Sequence, residues 1–374
     1  MKHLSEIQIS IESLLKNVRA LKAICPDEAD FIAVVKGNAY GHGLAPIVEV
    51  LEPVVDGFQI DDVEELQELR KHTSKRALVL GYVPCSALEE AVRLGGELAI
   101  YDVQRLPELQ RIAEDLGVRP KLHLKLDALL GRQGLLPDDV PAFLHRLAEF
   151  PGLDVIALYG HFANIEDTTD LTHANAQVDI FNKVHSSLVS AGLSQLSRHL
   201  SATSGLMVYE PSVRGNNLVR VGVGLYGLYP SASLARTQAR LELEPVMRWT
   251  SHLAQVKFLP AGHPVGYGLT FVTWRPTLIG IVPQGYSDGY DRGLSNAGEV
   301  LIHGKRCPIV GRIAMNMFAV DLTHAPEAKA EDEVVLLGDQ GSDRITAEEL
   351  AARLGTINYE VVTRVSPLLP RLLL

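Results

Sequence analysis

From residue 31 onward, short apolar or β-branched runs alternate with stretches in which Leu, Val and Ile recur at three- and four-residue steps, the period of an amphipathic helix. Eight of the runs are predicted as strands: FIAVV (31–35), GFQI (57–60), ALVLGY (77–82), LAIYD (98–102), KLHLKLD (121–127), VIALYGHF (155–162), RHLSAT (198–203) and LVRVGVGLYG (218–227). Segments such as DDVEELQELRK, SALEEAVRL and VQRLPELQRIAEDL supply the helical faces between them. Eight strand–helix units over roughly 200 residues point to the α/β class and a closed (βα)8 barrel of the TIM type, with an open doubly wound sheet as the structural alternative. After residue 240 the rhythm changes to strand-like stretches separated by Gly and Pro turns: TSHLAQVKFLPAG, TLIGIVPQGYSDG, EVLIHGKRCPIVGRIAM and EDEVVLLGDQG. Only TAEELAARLG there looks helical, so a second, mostly β domain is expected. The predicted division is residues 1–10 as an N-terminal strand packing on the C-terminal domain, 11–240 as the barrel, and 241–374 as the β domain.

Composition narrows the chemistry. The chain has 374 residues, 47% hydrophobic and 21% charged, with a net charge of -10. Nucleic-acid affinity rests largely on Lys and Arg neutralising phosphates, so this balance argues against such a partner. Cys25, Cys85 and Cys307 are odd in number, widely spaced and without a CxxC pair, which suggests neither a disulfide frame nor a zinc site and fits a reducing cytosol. Glu6 and Glu12 interrupt the N-terminal stretch, leaving no room for a signal peptide, and no apolar run reaches the ~18 residues a membrane span needs. The expectation is a cytoplasmic protein with no membrane partner.

If the barrel is right, its site lies at the carboxyl ends of the strands. Lys36 ends the first, in FIAVVKGNAYGHG, with Tyr40 and His42 beyond it. Lys125 ends the fifth and Arg132 lies in the following loop; His161 ends the sixth; Thr203 and Ser204 follow the seventh; Arg220 lies on the eighth, before Gly222 and Gly224. Taken singly, each has a plainer reading: a solvated strand-end lysine, a hydrogen-bonded core histidine, a common glycine loop. Together they place polar groups on one rim. The loops after strands seven and eight of such barrels commonly bind phosphate through backbone N–H groups and a hydroxyl, here Ser204 and Gly222. A phosphate site opposite a strand-end lysine suggests a phosphorylated aldehyde held as a Schiff base, pyridoxal 5′-phosphate.

AVVKGNAYGHG, KLDALLGRQG, GHFANIEDTTD, LVRVGVGLYG, VGYGLTF, GYSDGYDRGLSN, VGRIAMNM and INYEVVTRVSPLLPR together resemble the alanine racemase family, from about residue 5 to the end. The resemblance implies pyridoxal-phosphate-dependent racemisation of alanine by an isomerase with an N-terminal barrel and a C-terminal β domain, supplying D-alanine for peptidoglycan. It implies that Lys36 carries the cofactor and is one of two bases, and that Tyr40, Ser204 and the backbone at Gly222 and Val223 hold the phosphate. Arg220 is expected against the pyridine nitrogen, where it can only donate and keeps that nitrogen unprotonated. The second base implied is Tyr267, reaching in from the partner subunit of a twofold homodimer. A tyrosine with pKa near 10 needs its phenolate stabilised, and the resemblance assigns that to His161 and then Arg220. Arg132 and the backbone N–H of Met315 are the implied substrate-carboxylate contacts, with Arg132 also on the cofactor phenolic oxygen. Lys125 and Arg132, as cations about 4 Å apart near the surface, would repel by about 4 kcal/mol at an effective dielectric of about 20. A carbamate on Lys125, as the family often carries, would relieve this.

Several letters depart from the commonest family spelling: DALLGR for DTGMGR, Gly160 for Thr, Thr203 for Asn, Asn316 for Asp, and Pro367 where some members place a phosphate-binding Tyr. One methylene in a pocket shifts selectivity by only ~1 to 3 kcal/mol, so alanine against serine or a broader range stays open. A barrel-type pyridoxal-phosphate decarboxylase and a noncatalytic pyridoxal-phosphate carrier are the rivals. Arg220 argues against the first, and residues 241–374 against the second.

Overall fold

The computed structural model describes residues 3–193, 195–209, 215 and 217–374. The chain divides into two compact units: one contains residues 15–39 and 47–243, the other the residues up to Leu14, Tyr40–Pro46 and Glu244–Leu374.

The first unit is a ring of eight parallel strands. In spatial order they are Ser197–His199, Asp154–Tyr159, Lys121–Lys125, Gly96–Ile100, Arg76–Val79, Gly57–Ile60, Asp30–Val34 and Leu218–Val221. The first strand in sequence therefore pairs with both the second and the eighth, Ala33 lying opposite Phe58 on one side and Val221 on the other. Ring closure between the seventh and eighth strands rests on backbone bonds from Asn217 N–H to Arg198 O (3.0 Å) and from Arg220 N–H to Ser201 O (3.2 Å). Strands covered on both faces lose the alternation of a half-exposed sheet and become continuously buried, mostly apolar runs, as in Gly57–Ile60, where Gln59 is the polar exception. Ile32, Leu78, Leu80, Tyr159 and Leu218 pack together inside.

Five of the predicted strands are shorter than expected: ALVLGY, KLHLKLD and VIALYGHF end at Val79, Lys125 and Tyr159, and the seventh and eighth end soonest relative to their runs. RHLSAT leaves the sheet after His199, and Thr203 and Ser204 begin a helix, Thr203–Val208, in which Leu206 N–H bonds to Ala202 O. The eighth strand stops at Val221 because Gly222 turns the backbone (φ -111°, ψ -103°) into a 3-10 turn, Val223–Tyr226.

In the second unit, Glu6–Ile9 lies between Met247–His252, antiparallel, and Arg371–Leu373, parallel, so that Ile7 faces both Trp249 and Arg371. Its alternating burial puts Ile7 and Ile9 inside. The sheet continues through Glu333–Gln340, Glu299–Ile302, Lys305–Val310, Phe318–Asp321, Thr277–Val282 and Gln255–Leu259. Besides the expected helix Ala347–Leu354, this unit holds a second, Asn358–Thr363, which the β-branched letters of INYEVVT conceal. A long-range contact supports it: Asn358 Nδ2 donates to Glu348 Oε1 at 2.8 Å. Among the described residues no helix is long and apolar enough to cross a membrane.

Candidate active site

Val34 and Val35 are buried, and the chain then surfaces at Lys36 and enters a left-handed turn: Gly37 (φ 62°), Asn38 (54°), Ala39 (54°) and Tyr40 (52°). For residues with a side chain this conformation costs roughly 1–2 kcal/mol each, so something must hold it. Ala39 N–H bonds back to Val35 O at 2.7 Å, and one carboxylate oxygen of Glu65 accepts from Gly37 N–H (2.6 Å) and Asn38 N–H (3.2 Å). The Lys36 amine lies 3.3 Å from Asp61 Oδ1.

Inside the ring, Lys125, His161 and Arg220 converge. Lys125 Nζ lies 3.2 Å from His161 Nδ1 and 4.5 Å from the centre of the Tyr159 ring, and Arg220 Nη1 lies 3.4 Å from the same Nδ1. Arg220 is buried; its Nη2 donates to Gly160 O (2.9 Å) and Leu200 O (3.2 Å), while its Nε has no partner among the described residues. Burial lowers this guanidinium to about 10, which leaves it charged at neutral pH. Lys125 is pushed well below the usual lysine range by burial first, then by Arg220 and Arg132. His161 is held neutral by burial and by Arg220 and Lys125. Arg220 has no lone pair to offer, so His161 Nδ1 must be the accepting nitrogen and its ring proton sits on Nε2.

Behind these lies a relay that sequence reasoning missed. Arg76 Nη2 donates to Glu97 Oε2 (2.8 Å), the same oxygen meets His123 Nε2 (2.9 Å), and His123 Nδ1 meets His199 Nε2 (2.8 Å). Burial alone would raise the Glu97 carboxyl, but hydrogen bonds from His123 and Arg76 overcome it and hold it at about 2. The carboxylate therefore accepts from His123 Nε2–H and leaves Nδ1 to accept from His199 Nε2–H, so both rings stay neutral in one fixed tautomer. His199 stacks flat on Tyr159, centres 5.0 Å apart. The available signal was His123 alternating with leucines in KLHLK and Glu97 directly before the apolar LAI.

Arg132 is exposed, at the end of a loop that Asp127 folds: Oδ1 accepts from Leu130 (2.8 Å) and Gly131 (3.0 Å), and Oδ2 from Arg132 N–H (2.9 Å). Ser204 Oγ donates to Glu166 Oε1 at 2.6 Å, and burial raises the Glu166 carboxyl. Gly222 N–H donates to Thr203 Oγ1 (3.0 Å), and Val223 opens the 3-10 turn beside it. Gly224 must be glycine, because a Cβ there would stand 2.8 Å from Thr203 Cγ2.

Tyr40, Tyr267 and Met315 belong to the other unit. Tyr40 packs against Tyr359, ring centres 6.1 Å apart. Gly41 after it permits close backbone approach, since a Cβ would meet Val362 O at 2.0 Å. Tyr267 begins a 3-10 turn carried by a small hairpin, Pro264–Val265 with Phe271–Val272, and is 74% exposed. Beside it opens a cavity of about 460 Å³ whose walls include Lys257, Val265, Arg312 and Phe318. Met315 is exposed; its carbonyl accepts from Ser287 N–H (3.0 Å) and Oγ (2.8 Å), and Asn316 Nδ2 donates to Ser287 Oγ (2.8 Å). Pro367 is exposed.

Comparison with known proteins gives a consistent picture. The family model described as alanine racemase, N-terminal domain, matches residues 9–230, and that of the C-terminal domain matches 246–373. The chain is 34% identical to "Alanine racemase 2" of Caldanaerobacter subterraneus over 98% of its length and 94% of the relative's, and 37% identical to the alanine racemase of Syntrophobacter fumaroxidans over 96% and 94%. Among solved structures, alanine racemase from D-cycloserine-producing Streptomyces lavendulae superposes with a TM-score of 0.92 at 34% identity, covering 100% of this chain and 98% of that one. The Bacillus anthracis alanine racemase with bound L-Ala-P gives 0.94 at 29% identity, covering 100% and 96%.

Proposed function

Because the chain belongs to the alanine racemase family, we propose that it interconverts L- and D-alanine, with Lys36 and the partner subunit's Tyr267 exchanging protons with opposite faces of Cα. The observation that carries this reading is Arg220: a buried donor, charged at neutral pH, whose Nε has no partner among the described residues, next to a neutral His161, in a barrel whose first strand leads into Lys36.

Pyridoxal 5′-phosphate suits this donor set. Lys36 would hold it through its aldehyde, Arg220 Nε would donate to its ring nitrogen, and Tyr40, Ser204 and the backbone at Gly222 and Val223 would surround its phosphate. Ser204 has one proton, at present given to Glu166, so holding phosphate means releasing that carboxylate. Bound there, the cofactor would supply the electron sink that lets a proton leave Cα. Arg220 donates without yielding its proton, which weakens the sink and favours return of the proton over loss of carbon dioxide; this separates the reading from a decarboxylase. Arg132 and the Met315 N–H would orient the substrate carboxylate. His161 presents Nε2–H as the donor that would stabilise the phenolate of the partner's Tyr267.

Lys125, its amine pushed well below the usual lysine range by burial and by Arg220 and Arg132, is suited to carbamylation: its nitrogen bonds to the carbon of carbon dioxide, one proton leaves, and the resulting anion would face Arg132 and Arg220. A twofold homodimer, a cytoplasmic location and D-alanine supply for peptidoglycan complete the reading. Incubation with L-alanine in deuterated water tests it. Optical rotation should decay to zero with deuterium entering at Cα, whereas release of carbon dioxide, or no change, would overturn the assignment.

A further inference from the structure

We infer that Glu65 is the positioning residue of the Lys36 amine, a role that rests on Lys36 carrying the cofactor. The helix Val63–Leu69 starts directly after the second barrel strand, and Asp62 caps it, Oδ1 accepting from Glu65 N–H at 2.8 Å. With its backbone so fixed, the Glu65 side chain turns back rather than outward. Oε1 takes the N–H groups of Gly37 and Asn38 at 2.6 and 3.2 Å, and Oε2 takes Asp61 N–H at 3.0 Å. Asp61 in turn reaches Lys36 Nζ through Oδ1 at 3.3 Å.

One carboxylate thus ties together the turn that follows the amine and the strand end that carries its ionic neighbour. Consecutive left-handed residues aim neighbouring N–H groups at a common point, where an anion satisfies them together. The orientation of the Lys36 Cα–Cβ bond depends on that turn, because Gly37 follows it directly and takes φ 62°. Without Glu65, the bonds that Gly37 and Asn38 N–H give it are lost, the strained turn loses an anchor, and the lysine departs from the direction in which the strand delivers it. A displacement of about 1 Å at a reacting group costs on the order of 100-fold in rate.

The test uses the full-length chain freed of cofactor, as wild type, Glu65→Gln and Glu65→Ala. Two quantities are followed: covalent capture of pyridoxal 5′-phosphate by absorbance, with borohydride trapping and peptide mass analysis to locate it at Lys36, and hydrogen exchange of the 36–41 segment. Glu65→Gln keeps the shape and one acceptor oxygen, and should slow capture about tenfold with faster exchange; Glu65→Ala should slow it by about 100-fold. If the alanine variant does not fold, the glutamine variant decides alone. Faster exchange or a lower melting temperature with an unchanged capture rate would mean a merely structural carboxylate and would overturn the inference. Wild type that never captures the cofactor at Lys36 would instead overturn the reading beneath it, and this inference with it.

Discussion

The barrel interior and the hairpin region of the C-terminal unit break opposite rules. The barrel buries groups that prefer water, Lys125, His123, His199, Glu97 and Arg220. The C-terminal unit exposes groups that avoid it: Phe258 at 73%, Tyr267 at 74%, Leu269 at 66% and Trp274 at 77%. In the barrel the desolvation cost is offset by hydrogen bonds that fix tautomers, so its polar groups arrive already assigned as donors or acceptors. In the C-terminal unit these side chains stay largely in solvent, Trp274 with the Arg275 guanidinium 4.6 Å above its ring. Under the proposed function, one region prepares the electrostatics and the other contributes a base that works only after association.

Catalytic substitutions should break the comparison most sharply. Lys36→Ala should abolish racemisation by on the order of 10⁴-fold or more, and Tyr267→Phe should lower it by about 100-fold or more, with unequal deuterium entry from the two enantiomers. Equal, wild-type rates in Tyr267→Phe would remove the C-terminal unit from the chemistry. Next comes the relay: Glu97→Leu removes the acceptor of His123 Nε2 and Arg76 Nη2, leaving Arg76 its Nη1 bond to Asp30, and should destabilise the fold by about 3 kcal/mol, read from the denaturant midpoint.

Acidity probes the same interior. His123, His161 and His199 all have folded pKa values below the ordinary histidine value, so between those values and about 6.5 the unfolded chain binds more protons. Their contribution is full above about pH 6.5 and is lost as pH falls through that window, with a slope of up to about 4 kcal/mol per pH unit. Glu97 adds a second loss from about 4.5 down toward its folded value of about 2. A flat stability profile between pH 7 and 5 would show that these rings are not kept neutral. The smallest effect is expected at the exposed surface. Trp274→Asp with Phe258→Asp should weaken self-association by about 2 kcal/mol in sedimentation equilibrium. If no second copy covers these side chains, stability and mass should be unchanged.

Much of the barrel was legible because a doubly covered parallel strand is mostly apolar, even where it carries a buried polar residue such as Gln59. Gly57–Ile60 therefore stands out with the bounds that GFQI suggested. RHLSAT read too long, since Thr and Ala have no letter-level mark for the point where a strand turns into a helix. At the site, Lys36 was legible as an amine closing an apolar run. Glu65 was not: in DDVEELQELRK it is one acid among several on a face that looks solvated, and only Asp62 capping and the nearby turn bring it inward. Lys125 looked like a problem posed by Arg132, whereas Arg220 is its stronger cationic neighbour.

Local periodicity, the turn residues and the positions of charge along the chain are properties of neighbouring letters, and they sufficed to specify a barrel followed by a β domain with an amine at the first strand's end. Which buried groups carry a proton, which carboxylate braces which turn, and which apolar side chains lie bare were decided by the tertiary structure. The physical reason is that desolvation and charge interactions depend on distance and burial in space, and these bring together residues as far apart in sequence as Glu97 and His199.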